Sequence, residues 1–145
     1  MALSGSREPN CPGDDLTGTL LIDGRVAARL EMATTARTRA RGLLGRSGVD
    51  GAIWLTPCRQ VHTMGMRFPI DVAFIDRRGR VLRTKRLRPW RLSPLAIRAV
   101  GVLEAEAGAF ARWGIVEGAQ VELRPDDWDG TTPPLPRRRW LPGRR

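Results

Sequence analysis

"GTLLIDGRVAARLEMA", residues 18–33, decides how the rest of the chain is read. Two apolar-rich runs flank Asp23-Gly24, a dipeptide that suits a tight primed turn because both central positions need positive φ. A β-hairpin is therefore expected, its side chains alternating between two faces. From Gly51 onward the same short period returns. "AIWLT", "QVHTM", "DVAFID", "RVLRTKRL", "AVGVLEAE" and "AQVEL" each read as a strand, separated by turns that carry Gly or Pro. "DRRGR", residues 76–80, is expected to turn the chain between two of them.

Two stretches depart from this period. In "TTARTRARGLLGR", residues 34–46, Ala36, Ala40, Leu43 and Leu44 recur at helical spacing, Thr34 or Thr35 can cap the start, and Gly45 is placed to end the turn. "AGAFARWG", residues 107–114, holds a single helical turn that Gly114 stops. Many short strands and few helices predict a compact, mainly antiparallel β barrel or sandwich with one short helix packed on it.

At 145 residues the chain has the size of one domain. Residues 1–15 and 125–145 lack apolar period and carry Pro, Gly and charge, so a disordered lead and a disordered Pro/Arg-rich tail are expected around a single domain at 16–124. The formal net charge is +10, and half of that excess sits in the closing "RRRWLPGRR". Lys85 is the sole lysine, and a GC-rich coding bias accounts for an arginine preference of that kind. No apolar run reaches bilayer length and the first residues lack a secretory apolar region, so a cytoplasmic protein without integral membrane association is expected. Cys11 and Cys58 have neither metal-type spacing nor a disulfide framework and are expected as free thiols.

Three stretches taken together are distinctive: "RARGLLGR" at 39–46, "HTMGMRFPIDVAFIDRRGRV" at 62–81 and "VLEAEAGAFARWGIVEGAQV" at 102–121. They resemble the bacterial and archaeal family named only as domain of unknown function 192. The resemblance runs from about Leu20 to Leu123. It marks Arg41, Gly42, Leu43, Gly45 and Arg46, then His62, Met66, Pro69 and Asp71, then Leu103, Glu104 and Gly108, and last Gly114 and Gly118. Members of that family often carry an acid after the last glycine, where Ala119 stands here. The resemblance implies a small, mainly β fold and brings no settled activity, substrate or cofactor.

Several chemistries compete for the same residues. Cys58, His62, Met64 and Met66 share parity on an extended strand and have the soft donors that suit copper(I), yet a lone Met more often fills a core gap and a lone His more often serves structure. Cys58 or a Ser activated by His62 and oriented by Asp71 would make a hydrolase, but no nucleophile elbow or phosphate-cradling loop accompanies them. Glu104 and Glu106 form a carboxylate pair along one strand face, a spacing that an ordinary solvated edge also has. Asp71 and Glu104 both border apolar runs, where an unpaired carboxylate is costly, and Arg41, Arg46 and Arg67 are the nearest candidates to pair with them.

The arm at 77–91 carries Arg77, Arg78, Arg80, Arg83, Lys85, Arg86, Arg88 and Arg91 without an acid; with Trp90 it can track a phosphate backbone and stack a base. The tail's "PPLPRR" fits a proline-rich ligand superficially, and its cations with Trp140 could touch an anionic membrane surface. The expected function is a monomeric, non-catalytic binding or accessory module for a protein or small molecule. Its small pocket would be formed by His62, Met66, Asp71 and Glu104, without metal or cofactor. A basic nucleic-acid-binding module and a hydrolase or soft-metal protein centred on His62 are the alternatives.

Overall fold

A computed structural model describes residues 16–33 and 51–126. Seven strands and one short helix follow in the order β1 Leu16–Ile22, β2 Arg25–Ala33, β3 Ala52–Leu55, β4 Ile70–Ile75, β5 Val81–Leu87, β6 Gly101–Glu106, α1 Ala109–Trp113 and β7 Val121–Pro125. They form one sheet in the order β5-β4-β6-β3-β2-β1-β7. Every neighbouring pair is antiparallel except β2 and β3.

The opening hairpin forms as its sequence predicts. Asp23 at φ 50 and Gly24 at φ 84 occupy the two central positions, and Ile22 pairs with Arg25 across the turn. At the far end of the sheet, "DRRGR" turns because the Asp76 carboxylate accepts the backbone N–H groups of Arg78 at 2.8 Å and Arg80 at 2.9 Å. Gly79 supplies the positive φ that this turn requires.

The sheet is rolled and not closed. Its edge strands meet at one end only, where Val81 donates to the Ala119 carbonyl at 2.9 Å and Val121 to the Gly79 carbonyl at 2.7 Å. A single bridge, Arg80 to Gln120, completes that seam. The choice between barrel and sandwich therefore resolves to one mainly β sheet curled on itself.

β3 and β4 are buried along their whole length because both faces of the central strands are covered. Inside the roll, Trp54, Leu20, Leu30, Ile75, Leu103 and Leu123 pack together, and α1 with the turn after it adds Ala109, Phe110 and Ile115. On the outer face, Ile53, Ile70, Val72, Phe74 and Val102 form a second cluster, completed by Val61, Met66 and Ala99 from two loops. Each large side chain so buried contributes roughly 1.5–3 kcal/mol.

One strand expectation fails. "QVHTM" is loop apart from a single bridge from His62 to Leu92. Its alternating pattern imitates a strand, but Met64-Gly65 turns the chain, with Gly65 at φ 81 and the Met66 N–H bonded to the Thr63 carbonyl. The helix expected at 34–46, with Arg41 and Arg46, lies outside the described residues, as do the whole lead with Cys11 and the tail from residue 127. The helical turn expected at 107–114 is α1, ended by Gly114 in a left-handed cap.

Candidate functional site

Asp71 sits on β4 facing into the roll, in register with Ala105 on β6 and Arg86 on β5. Its side chain is 7% exposed, and its two oxygens divide their work. Oδ1 accepts from Arg86 Nε at 3.0 Å. Oδ2 accepts the backbone N–H groups of Gly108 at 2.9 Å and Phe110 at 3.3 Å. Helix α1 begins at Gly108, which has no side chain to cap it. Asp71 supplies that cap from a different strand.

Among the described residues the guanidinium that meets Asp71 is thus that of Arg86 and not Arg67; Arg41 and Arg46 lie outside the described residues. Arg67 is exposed on a loop, whereas Arg86 lies directly opposite Asp71 in the hairpin.

The expected pocket does not assemble. Glu104 pairs with Val72 and Ile53, so strand alternation puts it on the outer face while Asp71 faces inward. Glu104 is buried and engaged in a contact of its own. Met66 is buried in the outer cluster. His62 is exposed, its Nδ1 accepting the Met64 N–H at 3.3 Å. The sheet separates Asp71 from Glu104 and Met66 on its outer side, and His62 is exposed on a loop.

Among the described residues the soft donors divide: His62 and Met64 are exposed, Met66 is in the outer cluster, and Cys58 packs against that cluster and donates its thiol to the Gln60 carbonyl at 3.3 Å. Among the described residues no three His, Cys, Asp or Glu side chains form a metal-binding group. Glu106 is exposed and bonds Arg112 at 3.1 Å, apart from the buried Glu104.

The surface that does assemble is built by two loops, 56–69 between β3 and β4 and 88–100 between β5 and β6. Thr63, fully buried, joins them. Its hydroxyl donates to the Arg88 carbonyl at 2.6 Å and accepts the Arg91 N–H at 2.8 Å, while its own N–H bonds the Arg91 carbonyl at 2.8 Å. Its carbonyl accepts the Trp90 N–H at 2.9 Å. Ser93, also buried, accepts the Val61 N–H through its hydroxyl at 2.9 Å. Gln60 and Arg59 add bonds to the Ser93 and Ala99 carbonyls. Thr63→Val keeps the shape of the side chain and removes both hydroxyl bonds. It is expected to lower stability by about 2 kcal/mol in urea denaturation and to speed amide exchange at Arg91.

This stitched pair of loops displays Met64, Trp90, Leu92, Leu95 and Ile97, five of the seven large apolar side chains exposed among the described residues. Trp90 is 62% exposed and stands at φ 63, a conformation that a side chain of its size rarely adopts. The same two loops carry Arg59, Arg67, Arg88, Arg91 and Arg98, all exposed. Neither 52–70 nor 77–103 contains an Asp or Glu. Leu92, Leu95 and Ile97 were not singled out by the sequence reading; the absence of acids through both segments was the available signal.

The basic arm divides. Arg77, Arg78 and Arg80 lie at the β4–β5 turn, Arg83 and Lys85 flank the outer face, and Arg86 faces the other way to hold Asp71. Only Arg88, Trp90 and Arg91 of that arm belong to the loop surface. Elsewhere, an open concavity of ≈ 490 Å³ lies between the β1–β2 hairpin and α1, lined by Arg25, Val26, Arg112 and Trp113 among others. No helix among the described residues is long and apolar enough to cross a membrane.

Comparison with known proteins places this geometry. No curated protein matches the chain. A protein of unknown function from Novosphingobium aromaticivorans DSM 12444 has a similar structure, with TM-score 0.62 at 25% identity over 72% of this chain and 83% of that one. A protein from Sinorhizobium meliloti 1021, proposed to be a transcription regulator, superposes with TM-score 0.67 at 19% identity, over 78% of this chain and 98% of that one. The second likeness speaks to the fold alone. The family model described as Uncharacterized ACR, domain of unknown function 192, matches residues 19–123, which reach into every described strand and include both loops of the exposed surface, and the chain belongs to that family.

Proposed function

We propose that this chain is a non-catalytic binding module whose working surface is the face built by loops 56–69 and 88–100. A pocket shared by His62, Met66, Asp71 and Glu104 is not part of this reading, because the sheet lies between Asp71 and Glu104. The observation that carries the proposal is the concentration of exposed Met64, Trp90, Leu92, Leu95 and Ile97 on two loops held together by buried Thr63 and Ser93. A soluble surface scatters such side chains singly; gathering them on a braced scaffold is the mark of an interaction site.

The test is retention on a phenyl matrix. Leu92→Asp with Ile97→Asp is expected to shorten retention clearly, while Val26→Asp with Val116→Asp, which changes the two large apolar residues exposed elsewhere among the described residues, leaves most of it. Equal loss from both pairs, or none from the first, would count against a dedicated face.

A further inference from the structure

We infer that the two-loop face docks on an anionic lipid bilayer, with the apolar tips entering the interfacial layer and the arginines against headgroup phosphates. This rests on the binding-module reading above. Three properties of the surface select that occupant.

The first is the kind of apolar residue. Nucleic acid offers bases that stack on aromatic rings and phosphates that want cations, and it has little use for exposed aliphatic side chains. Four of the five tips here, Met64, Leu92, Leu95 and Ile97, are not aromatic, and the fifth is Trp90, whose ring suits the headgroup level of a membrane. Aliphatic tips with one tryptophan match the boundary between headgroup and acyl chain.

The second is charge of one sign. Arg59, Arg67, Arg88, Arg91 and Arg98 are exposed on the same two loops as the tips, and the two segments contain no carboxylate. A folded protein partner presents charges of both signs and is commonly met by both. An anionic bilayer is uniformly negative, and a long arginine can lie along apolar surface with its guanidinium at the phosphates.

The third is preorganisation. The backbone of Trp90 is held at φ 63 by a turn whose neighbouring groups are bonded to Thr63, so the ring is displayed without a search through loop conformations. Conformational strain kept at an exposed aromatic is consistent with use of that side chain.

The experiment is sedimentation of the full chain with vesicles, alongside a thymidine oligonucleotide in a separate titration. Vesicles with about 30% phosphatidylserine should carry the protein down at least about tenfold better than phosphatidylcholine alone, and raising NaCl from about 50 to about 500 mM should weaken that strongly. Leu92→Asp with Ile97→Asp should lower vesicle binding about tenfold or more. Trp90→Gly should lower it too, while its unfolding midpoint stays at or above that of the parent because glycine accepts positive φ. Unfolding midpoints of every variant separate lost docking from lost fold.

No sedimentation with the anionic vesicles overturns the inference. So does binding that the Leu92/Ile97 pair leaves intact, which would assign the contact to basic residues elsewhere. Oligonucleotide binding lost in parallel with these variants, in a protein that ignores vesicles, would make the face a nucleic-acid site. If the phenyl-matrix contrast holds while vesicles are not bound, the binding-module reading stands and the lipid inference alone falls.

Discussion

Asp71→Ala is expected to lower the unfolding free energy by about 3 kcal/mol, because it strips a charged acceptor from two helix N–H groups, one of them on buried Phe110. Urea denaturation should show the midpoint falling with little change in slope. Arg86→Ala is the informative companion. Its side chain is 59% exposed, so solvent already screens the ion pair and its loss should cost less than about 1 kcal/mol. Asp71→Asn keeps one acceptor oxygen and should fall between the two. Equal losses from Asp71→Ala and Arg86→Ala would show that the guanidinium, and not the helix cap, anchors this carboxylate.

Gly101→Ala is expected to cost about as much, roughly 3 kcal/mol, through crowding. An alanine methyl at this strand position would run into the indole ring of Trp54 and come within 2.8 Å of the Leu55 carbonyl oxygen. In an open strand the same change would be mildly favourable, since alanine gives up less backbone freedom on folding than glycine. The sign is decided by Trp54, which is buried at the centre of the inner core. In a double-mutant cycle, Trp54→Phe should therefore be less damaging in the Gly101→Ala background than in the parent, and strict additivity would argue that the clash is relieved elsewhere.

The fold was legible where local chemistry and period agree. Asp23-Gly24 needed only its own backbone preferences, and Gly114 ended α1 for the same reason. The Asp71–Arg86 contact was available in principle. Once "DRRGR" is a turn, residues 71 and 86 fall opposite one another, as do 72 and 85. Strand register was the guide to it. The supposed pocket failed for the same reason in reverse. Asp71 and Glu104 look alike beside their apolar runs, and only the pairing of Val72 with Glu104 reveals that they face opposite sides.

The loop surface was harder to read. Its apolar residues resemble core positions in "QVHTM" and "LSPLAI", and exposure is set by Thr63 and Ser93 hydroxyls spanning about thirty residues of sequence. A buried hydroxyl that replaces a ladder bond leaves no periodic trace. The acid-free composition of both segments was visible throughout, but it pointed to the strand arm and not to the loops beside it.

The one-ended seam has a consequence for how copies of this molecule treat each other. Past Val81 no described strand pairs with the outer edge of β5, so its backbone groups offer a template on which a second chain could polymerise. Arg83, Lys85 and Arg86 along that edge make such an approach repulsive, and the bulge at Phe74/Ile75 twists the ribbon away from a flat partner. The cations that its unpaired side carries thus oppose edge-to-edge growth of the incomplete roll.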